Sequence, residues 1–101
     1  MYGLNTRVIE KINTVFTSCS EIEKVILYGS RAKGNFRNGS DIDLVVIGSV
    51  DLSLLHRIEN ELDDLYLPYT IDITILSHIR NDSLLDHIDR VGIEFYTKLS
   101  R

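Results

Sequence analysis

Apolar and polar positions follow three patterns along this chain, and each predicts a kind of element. From Leu4 to Phe16 the apolar residues Val8, Ile12, Val15 and Phe16 recur at i, i+4, i+7 and i+8. That is the stripe of a helix with one buried face, and Asn5 or Thr6 can cap its start. Val25-Ile26-Leu27-Tyr28 is short, partly β-branched and stopped by Gly29, as a buried strand is. A second unbroken run, Ile42 to Ile47, starts after Asp41 and stops at Gly48, and predicts a second strand. After Asp51, a plausible N-cap, Leu55, Ile58, Leu62 and Leu65 return every three or four residues among polar neighbours, which predicts a second long helix. Thr70 to Leu76 alternates with period two and is rich in β-branched residues, so it predicts a third strand. Leu84, Leu85, Ile88, Val91 and Phe95 then place a stripe on a C-terminal helix, which Gly92 weakens by about 1 kcal/mol relative to Ala. Residues 30–40, SRAKGNFRNGS, are rich in turn formers and predict a loop around a very short helix. The expected order is helix, strand, strand, helix, strand, helix, an α/β fold.

Composition narrows this without redirecting it. A chain of 101 residues, 44% hydrophobic and 26% charged, with one proline and neither repeat nor linker, suits one globular domain over residues 1–101. A formal charge of −4 disfavours a protein whose main task is holding a nucleic-acid backbone, because that affinity comes from Lys and Arg releasing counterions, and no direct nucleic-acid partner is expected. No apolar stretch approaches the roughly 20 residues that span a bilayer, and MYGLNTRVIEK lacks a signal-like apolar core. The lone Cys19 can form neither an internal disulfide nor a zinc site with a second Cys, so it is expected to be structural. Together these predict a cytoplasmic protein with no membrane contact.

The chemistry concentrates in Gly29-Ser30, ten further residues, then Asp41-Ile42-Asp43, with Asp72 far along the chain. Glycine at a strand end lets the backbone turn close to a ligand, and Ser30 offers a hydroxyl and a backbone N–H to phosphate oxygens. Two carboxylates two positions apart on a strand point to one face, roughly 7 Å apart, and hard oxygen ligands of this kind suit Mg²⁺. Asp72 lies between Ile71 and Ile73, so if those isoleucines face the core it faces away and can complete the site when the strands are neighbours. Taken singly, a Gly-Ser turn and an Asp-x-Asp pair are ordinary; an aspartate inside an apolar strand is not. Arg31, Lys33 and Arg37 fall in the acid-free stretch 25–40 and can neutralise a triphosphate, Arg31 being the preferred candidate beside Ser30. His56, His78 and His87 lack metal-ligand spacing and are expected at the surface. The aromatic residues are expected in the core, and none is assigned to a base.

The segment LYGSRAKGNFRNGSDIDLVV, residues 27–46, resembles without a gap the signature Gly-Ser, ten residues, Asp-x-Asp of the DNA polymerase β-type nucleotidyltransferase superfamily. The small size resembles its minimal members, the MntA-like antitoxins encoded beside HEPN-domain toxins. The resemblance implies a small mixed sheet of three or four strands with helices packed on one face. It implies that Gly29 and Ser30 bind nucleotide phosphates, that Asp41 and Asp43 hold metal, and that Asp72 is the third carboxylate. It further implies Mg²⁺, with two ions, and transfer of AMP from ATP to a hydroxyl, a tyrosine of the HEPN toxin, in a type VII toxin-antitoxin pair. A non-catalytic nucleotide-binding antitoxin and a small-molecule nucleotidyltransferase with a partner-supplied substrate site are the alternatives. Assembly with itself or with a partner is left open.

Overall fold

The structure, a computed structural model, describes residues 1–99. The chain runs α1 (Thr6–Thr17), β1 (Ile22–Tyr28), α2 (Gly29–Lys33), β2 (Ile42–Gly48), α3 (Leu52–Asp63), β3 (Ile71–Ile75), a 3₁₀ turn (Leu76–His78), α4 (Asp82–Val91) and β4 (Ile93–Thr97). The helix starts follow the side chains present. Asn5, Asp51 and Asn81 each accept a backbone N–H from three residues on, which satisfies a donor the helix cannot pair internally.

The four strands form one sheet in the order β3-β2-β1-β4. β1 pairs antiparallel with β2 and with β4, and β2 pairs parallel with β3, so the sheet is mixed. The parallel pair needs a crossover, and α3 supplies it. Ile12, Val15 and Phe16 of α1 and Leu55, Ile58 and Leu62 of α3 pack on Val25, Leu27, Ile42, Leu44, Val46, Ile73 and Ile75 in one core. A fully buried side chain of this size contributes about 1.5–3 kcal/mol, so this face holds the fold. Cys19 is free and buried in the same core. The opposite face carries a second, smaller cluster in which Tyr28 and Val45 meet Ile88 of α4. The mixed sheet is as expected, but the helices do not all pack on one face: α1 and α3 share one, and α4 covers the other because Ile88 is buried against Tyr28 and Val45.

Several boundaries differ from expectation. β1 begins three residues earlier than Val25, and its exposed and half-exposed Glu23 and Lys24 broke the apolar run that marked it. α3 ends at Asp63, short of Leu65, and β3 covers Ile71–Ile75 inside the predicted 70–76. The larger correction is at the C-terminus, where the predicted helix through Phe95 stops at Val91. Gly92 is extended, at φ −60° and ψ 140°, and Ile93–Thr97 becomes edge strand β4 with Phe95 buried. Ile93, Phe95 and Thr97 alternate with polar Glu94 and half-buried Tyr96, a period-two pattern that the helical stripe ending on Phe95 concealed.

Candidate active site

The site assembles where β1, β2 and β3 present their non-core face. Tyr28 of β1 lies opposite Asp43 of β2, and Asp43 lies opposite Asp72 of β3. Neighbouring strands are about 4.8 Å apart, and residues in register share a face, so Asp43 and Asp72 stand side by side. Ile42 and Leu44, which flank Asp43, are fully buried on the other face, and this alternation aims Asp43 away from the core. Asp72 is exposed and Asp43 half-buried. Asp41 departs from expectation in one respect: it precedes β2 rather than belonging to it, and it is exposed.

Asp43 feels the other two carboxylates. The Asp43 carboxyl is held above its ordinary value, first by burial and then by the negative charges of Asp72 and Asp41. Burial likewise pushes the Tyr28 hydroxyl up, Asp72 and Asp43 add to this, and a hydrogen bond with Thr74 lowers it. Among the described residues no lysine or arginine forms an ion pair with Asp41, Asp43 or Asp72. Clustered hard oxygen donors without a protein countercharge fit a divalent cation that also takes oxygens from water and a triphosphate. Among the described residues no group of three His, Cys, Asp or Glu side chains is placed to hold a metal ion by itself, so a cation here would need oxygens from water or a bound phosphate.

Gly29 opens α2 directly after Tyr28, at φ +74°. A side chain there would be strained by the backbone and would also run into the Asp43 carboxylate, so glycine is required twice over. The turn thus sits against the acidic row, with half-buried Ser30 as its next residue. Lys33 is three positions beyond Ser30 on α2, hence on the same side of the helix, exposed and in no ion pair among the described residues.

Arg31 is not where the sequence reading placed it. It is 2% exposed, and its guanidinium lies between the rings of Phe36 and Tyr69, 5.3 and 5.1 Å from their centroids. Its Nε and Nη2 donate to the Ser40 carbonyl at 3.2 and 2.8 Å, and its Nη1 donates to the Tyr2 carbonyl at 2.9 Å. Arg31 braces the loop that delivers Asp41, and its donors are committed there rather than to phosphate. Ser40 tightens the same loop by accepting the Arg37 N–H at 2.8 Å.

His87 was expected at the surface and is instead part of this face. Its Nε2 accepts the Gly29 N–H at 3.1 Å, and its ring meets Tyr28 edge-on with centroids 6.2 Å apart. A signal for it existed: Leu84, His87, Ile88 and Val91 share one stripe of α4, so the histidine occupies a position on the packed side of the helix. His56 and His78 are exposed, as expected.

With this geometry in view, comparison with known proteins is decisive at the level of family. The family model described as polymerase β nucleotidyltransferase matches residues 10–101. The chain belongs to the polymerase β-type nucleotidyltransferases. Over 30 residues this nucleotidyltransferase is 50% identical to a protein of Methanocaldococcus jannaschii that carries a provisional name as a protein adenylyltransferase. That stretch is 30% of this chain and spans only 30% of the relative. A solved toxin-antitoxin complex with AMP-PNP matches its fold with a TM-score of 0.71 at 18% identity, covering 89% of this chain and 73% of that one. A complex of a tri-AMPylated Shewanella oneidensis HEPN toxin with its MNT antitoxin matches with a TM-score of 0.68 at 15% identity, covering 94% and 74%. At these identities the likeness establishes the fold: four helices around a four-stranded mixed sheet.

Proposed function

We propose that this nucleotidyltransferase is a Mg²⁺-dependent protein adenylyltransferase that moves AMP from ATP to a tyrosine hydroxyl of a cognate HEPN-domain toxin and so acts as its antitoxin. The observation that carries the reading is the row formed by Asp43 and Asp72 in register, with the Gly29 turn packed against Asp43. Its relatives' association with AMP-PNP and with an AMPylated HEPN toxin supports the choice of nucleotide and acceptor.

In this reading Ser30 binds the triphosphate, Gly29 supplies the turn that lets the phosphates approach while its own N–H is held by His87, and Lys33 offsets the charge. Asp41, Asp43 and Asp72 would hold one Mg²⁺, and Asp41 and Asp43 a second. Bound there, the metal would draw charge from the acceptor oxygen and from the leaving pyrophosphate. The acceptor oxygen forms a bond to the α-phosphorus as the bond to the bridging oxygen breaks, pyrophosphate departs, and the hydroxyl proton passes to the Asp72 carboxylate. Arg31 acts at a distance, by fixing Ser40 and hence the approach of Asp41 to the site.

The test combines labelled ATP, Mg²⁺ and a HEPN-domain partner, scoring AMP on the partner by intact mass alongside inhibition of the partner. The parent is expected to transfer AMP and to inhibit. Asp43→Asn is expected to lose transfer by several orders of magnitude, because each 1.36 kcal/mol of transition-state stabilisation is about tenfold in rate. Full inhibition by the parent with no transfer to the partner would instead make it a non-catalytic antitoxin. Transfer to a small molecule alone would place it with the small-molecule enzymes.

A further inference from the structure

The tertiary structure brings one side chain from the far end of the chain onto the turn that precedes α2. Gly29 and His87 are 58 positions apart, yet the Gly29 N–H donates to His87 Nε2 at 3.1 Å. Gly29 opens α2, so its N–H has no carbonyl of its own helix to meet, and at a half-buried position a donor left without a partner is costly. The imidazole satisfies it. His87 is held in turn: it is half-buried, its ring meets Tyr28 edge-on at 79°, and the next residue, Ile88, is locked into the small cluster with Tyr28 and Val45. The peptide between Tyr28 and Gly29 is therefore fixed from outside the sheet by α4, at the residue whose φ of +74° sets the direction of Ser30.

We infer that His87 is a positioning residue, which holds the Gly29 amide so that the Gly29-Ser30 turn meets the nucleotide triphosphate already shaped for it. The inference rests on the nucleotidyl-transfer reading for its consequence, though not for its geometry. The role needs a hydrogen-bond acceptor at the reach of Nε2 from the α4 backbone. Glutamine places its carbonyl oxygen near that reach; asparagine stops at the position of Nδ1; leucine fills space without accepting. A purely structural histidine, present to pack α4, would be served as well by leucine as by glutamine.

Two measurements test it on the full chain. In the nucleotide-free protein, hydrogen exchange at the Gly29 amide is expected to be about tenfold or more faster in His87→Leu and His87→Asn than in the parent, and slow again in His87→Gln. In adenylyl transfer, Leu and Asn are expected to raise the KM for Mg·ATP about tenfold with a smaller change in kcat, and Gln to recover most of that loss. Thermal melts identify any variant that fails to fold, and the Gln variant keeps the comparison valid in that case. Unchanged Gly29 exchange in His87→Leu, or a Gln variant as impaired as Leu in both measurements, would overturn the inference. A parent that transfers no nucleotide would sink the adenylyltransferase reading, while the exchange measurement would still decide whether His87 holds the turn.

Discussion

At the scale of single residues, the fold disfavours the ionised form of Asp43, by burial first and by neighbouring negative charge second. The Asp43 carboxyl is raised by burial and by Asp72 and Asp41, so the folded chain binds its proton more tightly than the unfolded chain does. Stability from this group is fully present below the ordinary carboxylate value, about 3.9, and is lost as pH rises through the raised one. Asp43→Asn removes that loss. The variant is expected to melt above the metal-free parent at pH 7, with the gap closing as pH falls below about 4. A gap of equal size at both pH values would show that ionisation of Asp43 is not the cause. Arg31 makes the opposite case, a buried cation held by carbonyls and ring faces. Arg31→Lys keeps the charge but cannot reproduce the paired donation to Ser40, and is expected to cost about 1–3 kcal/mol in urea denaturation. Under the proposed reading transfer should fall with it, although the Arg31 donors go to Ser40 and Tyr2, because the loop to Asp41 loosens.

At the scale of elements, Gly92 decides where α4 ends and β4 begins. Were local propensity in control, Gly92→Ala would extend the helix and stabilise the chain by about 1 kcal/mol. The structure demands the reverse sign. A Cβ at Gly92 would meet the Ile88 carbonyl and lie 2.7 Å from Ile26 Cγ2, so alanine forces apart the junction where β4 pairs with β1. Gly92→Ala is expected to destabilise by about 1–3 kcal/mol in urea unfolding, and a stabilised variant would contradict the packing described. Asp43 and Asp72 belong to this scale as well. Their adjacency needs the β2-α3-β3 crossover, and α3 folds back because Leu55, Ile58 and Leu62 share the core with α1.

At the scale of the whole molecule, a domain with a radius of gyration of 12.9 Å has one thick core, on the α1 and α3 side, and a thin cover of α4 on the other. The acidic row lies at that thin face, with Asp41 and Asp72 exposed. Among the described residues no helix is long and apolar enough to cross a membrane. The chain carries a net charge of −4, and under the proposed reading its carboxylate row would face a triphosphate of the same sign. Nucleotide binding should therefore require the cation. At ligand tenfold above its dissociation constant, binding contributes about 1.4 kcal/mol, which for a chain of this size is roughly 5–10 °C in melting temperature. ATP with Mg²⁺ is expected to produce that shift in the parent, and ATP with excess chelator to produce little. Equal shifts in the two conditions would remove the metal from the site.

What could be read from the chain alone was local. The Gly29-Ser30 and Asp41-x-Asp43 spacing lies within fifteen residues, and the periods of α1, α3 and β2 follow from which positions must be buried on one face. Helix caps at Asn5 and Asp51 were legible because a cap bonds to a backbone N–H three residues away. Tertiary structure alone decided the rest. Asp72 joined Asp43 only through strand register, His87 reached Gly29 only through the return of α4, and Arg31 turned from the phosphate turn toward Ser40 and Tyr2 only because Phe36 and Tyr69 close around it. Residues 93–97 form a strand for the same reason: β1 offers an unpaired edge, and backbone groups that could have continued a helix gain their partners there instead. Side-chain periodicity records which residues are buried, but not which distant backbone they are buried against.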